Sequence, residues 1–477
     1  MRIRIRIEQV RIGAEQCDHH SHSTLTCAVP LLLRLDVSFF SMLGVLAVLV
    51  LGVAAVRPVP THAQPALGAH AGTERDGFYR IHWYRRGSEH GNPKFNDRFR
   101  VNAPKASLHP TVGDRPEARG NGLMQIRMDE DPRSIRGAAL FLELWGGHPG
   151  TARKRVTVNG RSTYSIPPVG TEAGHVTHQY PTLPLDRSDL VRGHNAFQFA
   201  CDQGEAFWGH YIVDEAALTT ELARDHPAID SAGLSEFRAE VRPERHPSDE
   251  RVHLHLDVPN GWDSRIERVT FYGRYEGYDE NGNRRSRDWH GFTKEKQPAG
   301  HLGTSEEAPY RTEWDLSMLP GQRQVAVRAV LELSGDSDLR YVTELRGDLS
   351  IPERSDHQVR LHRVRKIPKP FWARAGERKT AVFDLDVPPH RIVSAELHVT
   401  VWDGGAGTVE DYFTLNSLAF EVAGRGDHRV HYTRSDVPAD LLRKGPNRLE
   451  LHSDTRHHGI ELLLPGPVLV VRSRTAP

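Results

Sequence analysis

Cysteine, methionine and net charge are all scarce in this sequence. Three cysteines and five methionines stand among 477 residues. Cys17 and Cys27 precede the longest apolar run, and Cys201 alone follows it. A disulfide framework in the body of the protein is therefore excluded. The 62 basic and 62 acidic side chains cancel, whereas a whole-chain nucleic-acid binder carries a basic excess. With 38% hydrophobic residues, a disordered polyelectrolyte is excluded too. Helical periodicity is rare. Asp214–Arg224 (DEAALTTELAR) is the best example and predicts about three helical turns. Gly-x-Ser-x-Gly, His-Glu-x-x-His and Cys-x-x-Cys motifs are missing, as are a phosphate loop and a dinucleotide fingerprint.

One apolar run, Val37 to Val56, is long enough to reach across a bilayer. Arg34 supplies its positive flank, and Thr61-His62-Ala63 fits a signal-peptidase site. Residues 1–63 read as a signal peptide or an uncleaved signal anchor, with 64–76 as a linker. This predicts an exported bacterial protein, extracellular or held in the cell envelope. Any membrane contact would run only through an uncleaved N-terminal segment.

What the sequence has in quantity is short alternating stretches, separated by many of its 41 Gly and 31 Pro. Leu140–Leu144, Arg155–Val158, Ala196–Cys201, Arg251–Val258, Gln324–Leu333, Leu397–Val401 and Arg448–His452 all alternate in this way. Period two directs one side chain to a core and the next away from it, which predicts an all-β protein of stacked sandwiches.

An internal repeat lies within this pattern. LFLELWGGHPGTARKRVTVNG (Leu140–Gly160) answers LHVTVWDGGAGTVEDYFTLNS (Leu397–Ser417). Trp145 matches Trp402, Gly150 matches Gly407, Thr151 matches Thr408 and Asn159 matches Asn416. Downstream, DLVRGHNAFQF (Asp189–Phe199) answers DLLRKGPNRLELH (Asp440–His452). Two related domains therefore flank something different.

The repeat resembles the galactose-binding-like jelly roll of bacterial carbohydrate-active proteins. Its marks are a strand ending in Asn159-Gly160, then a Leu, then the Gly193-His194-Asn195 turn and a closing strand. The second copy has Asn416-Ser417 and Gly445-Pro446-Asn447 at these points. Leu190, and Leu441 or Leu442, are expected to plug the cores. The middle stretch resembles the immunoglobulin-like spacers of secreted bacterial proteins, with about seven strands. The expected domains are a jelly roll over 77–224, an immunoglobulin-like sandwich over 234–352 and a second jelly roll over 357–474.

Aromatic side chains are the most usable ligand signal, because a sugar stacks its C–H face on an aromatic ring while polar neighbours bind its hydroxyls. In the first copy the candidates are Trp145, His148, Trp208, His210 and Tyr211. In the second they are Trp402, Asp403 and His457, and in the middle stretch Trp289. Trp145 and Trp402 share a repeat position, which points to a core duty for both. Trp208 and Tyr211 have no aromatic counterpart in the second copy, which points away from one.

Asp279, Asn281 and Asn283 set oxygen side chains at alternate positions, as calcium loops do. The Asn281-Gly282 pair explains the same stretch as a hairpin turn. Jelly rolls of this kind often hold a structural calcium, so the resemblance makes Asp129 and Asp131 a second candidate pair. His253, His255 and Asp257 share one strand face and suit either zinc or, more simply, a solvated surface. Arg80, His82 and Tyr84 would share a face if Arg80–Arg85 is a strand. Cys201 reads as a small buried hydrophobe.

Three functions follow in order. The first is a secreted, non-catalytic carbohydrate-binding or cell-surface protein, with a polysaccharide or glycan as partner and structural calcium as the one cofactor suggested. The second is a polysaccharide lyase or glycoside hydrolase. The third is a structural or adhesive envelope protein that binds surface proteins. Nucleic acid is not an expected partner.

Overall fold

A computed structural model describes residues 76–84, 99–103, 108–109, 113–114, 122–146, 151–166, 178–179, 181–203, 210–244, 250–259, 261–275, 277, 288–289, 302–335, 339–368, 370–422, 426, 430–456, 458–463 and 466–475. The expected export segment lies outside them. Among the described residues no helix is long and apolar enough to cross a membrane.

The chain is all-β. The principal strands of the first part are β1 (Gly77–Trp83), β2 (Leu123–Met128), β3 (Ile135–Trp145), β4 (Thr151–Val158), β5 (Thr182–Leu185), β6 (Gly193–Gln203) and β7 (His210–Leu222). The middle part holds β8 (Glu240–Glu244), β9 (Arg251–Asp257), β10 (Ile266–Tyr275), β11 (Arg311–Asp315), β12 (Gln322–Leu333), β13 (Leu339–Val342) and β14 (Arg346–Ile351). The last part holds β15 (His357–Arg363), β16 (Trp372–Ala373), β17 (Glu377–Leu385), β18 (Ile392–Gly404), β19 (Phe413–Leu415), β20 (Val430–Asp436), β21 (Gly445–Ser453), β22 (Gly459–Leu462) and β23 (Val468–Arg474).

The first and middle parts share one sheet, in the order β5-β3-β7-β1-β13-β12-β10. The join is β1 against β13, with Phe78 opposite Tyr341. Phe78, Phe237 and Tyr341 pack ring to ring there, with the first two each about one ring width from Tyr341 at 5.0 Å between centroids. The core is continuous across this join, from Phe78 to Ile351. Sheets β2-β6-β4 and β8-β9-β11 carry other strands of the two parts.

The last part has a separate core, from Val364 to Val471. Its sheets are β15-β23-β18-β22-β16, with β20 on the free side of β18, and β17-β21-β19. It is tied to the middle part at Glu250, whose carboxylate meets Arg354 (3.0 Å), His357 (2.9 Å) and Arg472 (2.9 Å).

The repeat is reproduced in atomic detail. Asn159 and Asn416 hold φ of 50° and 47°, a left-handed turn conformation that Asn tolerates better than most residues. Leu190 and Leu442 are buried in the cores, as the turn motif predicts.

Asp214–Arg224 is the clear departure from expectation. The helix predicted there is absent, and β7 occupies most of the segment as a strand between β1 and β3. Ala216, Ala217, Leu218, Thr219 and Thr220 are all buried, so neighbouring residues on both faces are covered. An amphipathic helix leaves one face in water, whereas a central strand satisfies its backbone through ladders on both sides. Tertiary pairing overrides the local preference.

Candidate ligand-binding face

The face is built from β18. Ala395, Leu397, Val399 and Val401 enter the core of the last sandwich. Glu396, His398, Thr400 and Trp402 therefore line the opposite face, by the period of two. Trp402 is paired in register with Glu461 on β22, and Glu461 in turn with Trp372 on β16. Two indoles thus flank one carboxylate across three adjacent strands. The Arg374 guanidinium sits 4.1 Å above the Trp372 ring, a cation–π contact. Trp372 Nε1 donates to the His458 carbonyl, and the His458 ring meets Trp402 edge-on at 6.1 Å.

Close backbone approach makes this corner. Gly459 holds φ of 75°, and a Cβ there would lie 2.0 Å from the Ala373 carbonyl oxygen. Only glycine lets β22 start so near β16. Asp403 is 1% exposed and staples the adjoining loop. Its two oxygens accept from Gly405 N (2.8 Å) and Gly426 N (2.7 Å). The ligand role expected for Asp403 gives way to this structural one.

On the same face, Tyr432 of β20 pairs with Thr400 in register, and Arg434 pairs with His398. Tyr432 Oη is 2.6 Å from His398 Nδ1, and His398 Nε2 is 3.1 Å from Glu396 Oε2. These side chains were not among the sequence candidates. Alternation in LHVTVW put His398 and Trp402 on one face, but Glu461, Trp372 and Tyr432 join them only through pairing between distant strands.

The first copy repeats the geometry in part. Leu140, Leu142 and Leu144 enter the core, so Phe141, Glu143 and Trp145 share the other face. Trp145 and Trp402 are both half-buried and both outside the sandwich cores. The core duty expected from their shared position is corrected: the repeat turns this tryptophan outward in each copy. Ile212 stands opposite Trp145, where Glu461 stands opposite Trp402.

Tyr211 is a second correction. It is fully buried in the core, and burial drives its hydroxyl pKa well up. Val213, two residues along the same strand, is likewise buried, because both belong to the core-facing set of β7. Lacking an aromatic counterpart in the second copy did not make Tyr211 a surface residue, since Ile460 fills the matching core position there.

Asp129 pairs with Arg127 at 2.9 Å, and Asp131 pairs with Arg133 at 3.1 Å. Glu130 between them turns inward, 2.7 Å from Arg80 and 2.8 Å from His82. Arg80 and His82 thus serve an interior ion cluster rather than an open cleft. Among the described residues no group of three His, Cys, Asp or Glu side chains could hold a metal. His253, His255 and Asp257 do share a charged outer face, with His255 3.3 Å from Glu244. Trp208, His148, His457, Asp279, Asn281 and Asn283 lie outside the described residues, and for His210 and Trp289 only the strand backbone is described.

No family model matches the chain, and no curated protein matches it. Among solved structures it is similar to a β-porphyranase of glycoside hydrolase family 86 from the human gut bacterium Bacteroides plebeius, at 14% identity and a TM-score of 0.23. That match covers 50% of this chain and 37% of the other. A beta-glucuronidase of an uncultured Clostridium sp. matches at 10% identity and a TM-score of 0.17, over 64% of this chain and 49% of the other. The ANX1 ectodomain of Arabidopsis thaliana matches at 8% identity and a TM-score of 0.17, over 80% and 89%. The chain spans well under half the length of the porphyranase. At these scores the likenesses assign neither a family nor an activity.

Proposed function

We propose that the chain is an exported glycan-binding protein, with two jelly-roll sandwiches around an immunoglobulin-like one, and that the outer face of the last sandwich is its principal binding face. The observation that carries this is the row Trp372–Glu461–Trp402. Adjacent strands lie about 4.8 Å apart, so the two tryptophan Cα atoms stand roughly 10 Å apart, comparable to a disaccharide. Indole rings offer stacking surface for sugar C–H faces, with Glu461, 6% exposed, in register between them. The outward Trp145 of the first copy offers a second, weaker contact. On a repeating polymer, two such contacts gain from effective concentration.

The test is retention of the full chain on insoluble and soluble polysaccharides, with and without calcium, beside the Trp402→Ala and Trp372→Ala variants. Saturable retention by the wild type, lost in both variants at unchanged melting temperature, is the expected result. Equal retention by the variants would remove this face from the binding role. No retention on any polysaccharide would sink the glycan reading and favour a protein partner.

A further inference from the structure

Two positions of the Tyr432–His398–Glu396 chain are filled differently in the first copy. Counting back from the equivalent tryptophans, His398 corresponds to Phe141 and Glu396 to Ala139. Those two positions are therefore apolar in the first copy, with Glu143 between Phe141 and Trp145 on the same face. The polar chain is peculiar to the face that carries the Trp372–Glu461–Trp402 row.

Its proton arrangement follows from its partners. A carboxylate only accepts, so His398 Nε2 carries the hydrogen that points to Glu396. Nδ1 is then the acceptor for the Tyr432 hydroxyl, 2.6 Å away. A phenol held in this way passes its proton to the imidazole, and the carboxylate offsets the imidazolium that results. The His398 and Glu396 side chains are 9% and 15% exposed, and shielding from water strengthens that hold. Arg434, opposite His398 on β20, is exposed and has no ion-pair partner among the described residues.

We propose that Tyr432 is a catalytic base, with His398 and Glu396 behind it, and that this face cleaves uronate-containing glycans by β-elimination; the proposal rests on the glycan-binding reading above. A glycan stacked on Trp402 brings a uronate beside Tyr432, and Arg434 pairs with its carboxylate, which acidifies the C5–H bond. The Tyr432 oxygen, its proton passed to His398, takes the C5 proton. The electron pair forms the C4–C5 double bond as the C4–O bond breaks. The departing oxygen takes the proton from Tyr432, and His398 returns its own to the phenolate. One glycosidic bond becomes one double bond and one hydroxyl, with no water, oxidant or reductant consumed. Glu396 is a positioning residue that acts through His398.

The full chain is incubated with polygalacturonate and with alginate, and the ultraviolet absorbance of the unsaturated uronate is followed beside retention on the same polymers. Wild type is expected to release unsaturated product from one of them. Tyr432→Phe is expected to lower that rate by about 100-fold or more while retention and melting stay unchanged. Glu396→Gln should lower kcat by about tenfold or more at unchanged KM. Arg434→Ala, a surface change, should raise KM for uronate polymers and lower kcat, because Arg434 both binds the uronate and acidifies its C5–H bond. Retention of a uronate polymer without unsaturated product, or full turnover by Tyr432→Phe, overturns the catalytic proposal and leaves the binding reading standing. Absence of retention on every polysaccharide overturns both.

Discussion

Asn159 and Asn195 bind each other side chain to side chain, with Asn159 Nδ2 donating to Asn195 Oδ1 at 2.8 Å. Asn416 donates to Asn447 in the same way at 2.7 Å. Each first asparagine also accepts from the closing strand, at Ala196 N or Arg448 N, both at 2.8 Å. Asn195 and Asn447 are fully buried. A turn and a strand start are thus locked by two amides that leave no amide oxygen unsatisfied.

Replacing Asn159 by Ala should therefore cost about 2–4 kcal/mol, because several hydrogen bonds go and buried Asn195 loses a partner. Urea denaturation of the variant measures this. A loss under about 0.5 kcal/mol, as expected for an ordinary surface change, would show that the pair is not a lock.

Glu130 gives an acid-sensitive contribution. Burial alone would raise its carboxyl, but hydrogen bonding and charge from His82, with hydrogen bonding from Arg80, bring it from 4.5 down to about 2. A depressed carboxylate stabilises the fold above its unfolded value and loses that contribution as pH falls through its folded value. The loss should thus run from about pH 4.5 down to about 2 and be on the order of 3 kcal/mol. Glu130→Gln should flatten the stability profile over that window. A wild-type and variant difference that does not vary with pH there would contradict the assignment.

Gly459→Ala sets a Cβ against the Ala373 carbonyl. The variant should push β16 away and carry Trp372 with it. Polysaccharide retention should fall together with stability, by about 2 kcal/mol or more. Retention equal to wild type would mean that the β16–β22 approach does not shape the binding row.

Cys201 is buried, and burial, helped by the charge of Asp202, pushes its thiol up to about 12. Thiolate is the reactive form, so Cys201 should resist alkylation in the native protein and label only on unfolding. Mass spectrometry that resolves each cysteine separately checks this. Rapid native labelling of Cys201 would place it at an accessible surface.

Much of the frame was legible from residues alone. Alternation in LFLEL and LHVTV marked β3 and β18, and the paired Asn-containing turns marked the repeat. DEAALTTELAR misled, because its apolar spacing fits a helix while its burial on two faces comes from neighbours distant in the sequence. Trp145 and Trp402 were recognised as equivalent, yet their direction was not, since an alternating strand has two faces and periodicity does not say which one meets the core. Tyr211 shows the same ambiguity in reverse.

The all-β class, the repeat, the turn asparagines and the set of side chains that share each strand face can all be read from residue order alone. Those depend on φ preferences and on a period of two, which are local. Tertiary structure decided that β1 joins the first part to the middle one, that Trp372, Glu461 and Trp402 form one row, and that Tyr432 reaches His398. Each of these rests on hydrogen-bond register between strands far apart in the chain, and register is chosen by the packing of the whole sheet.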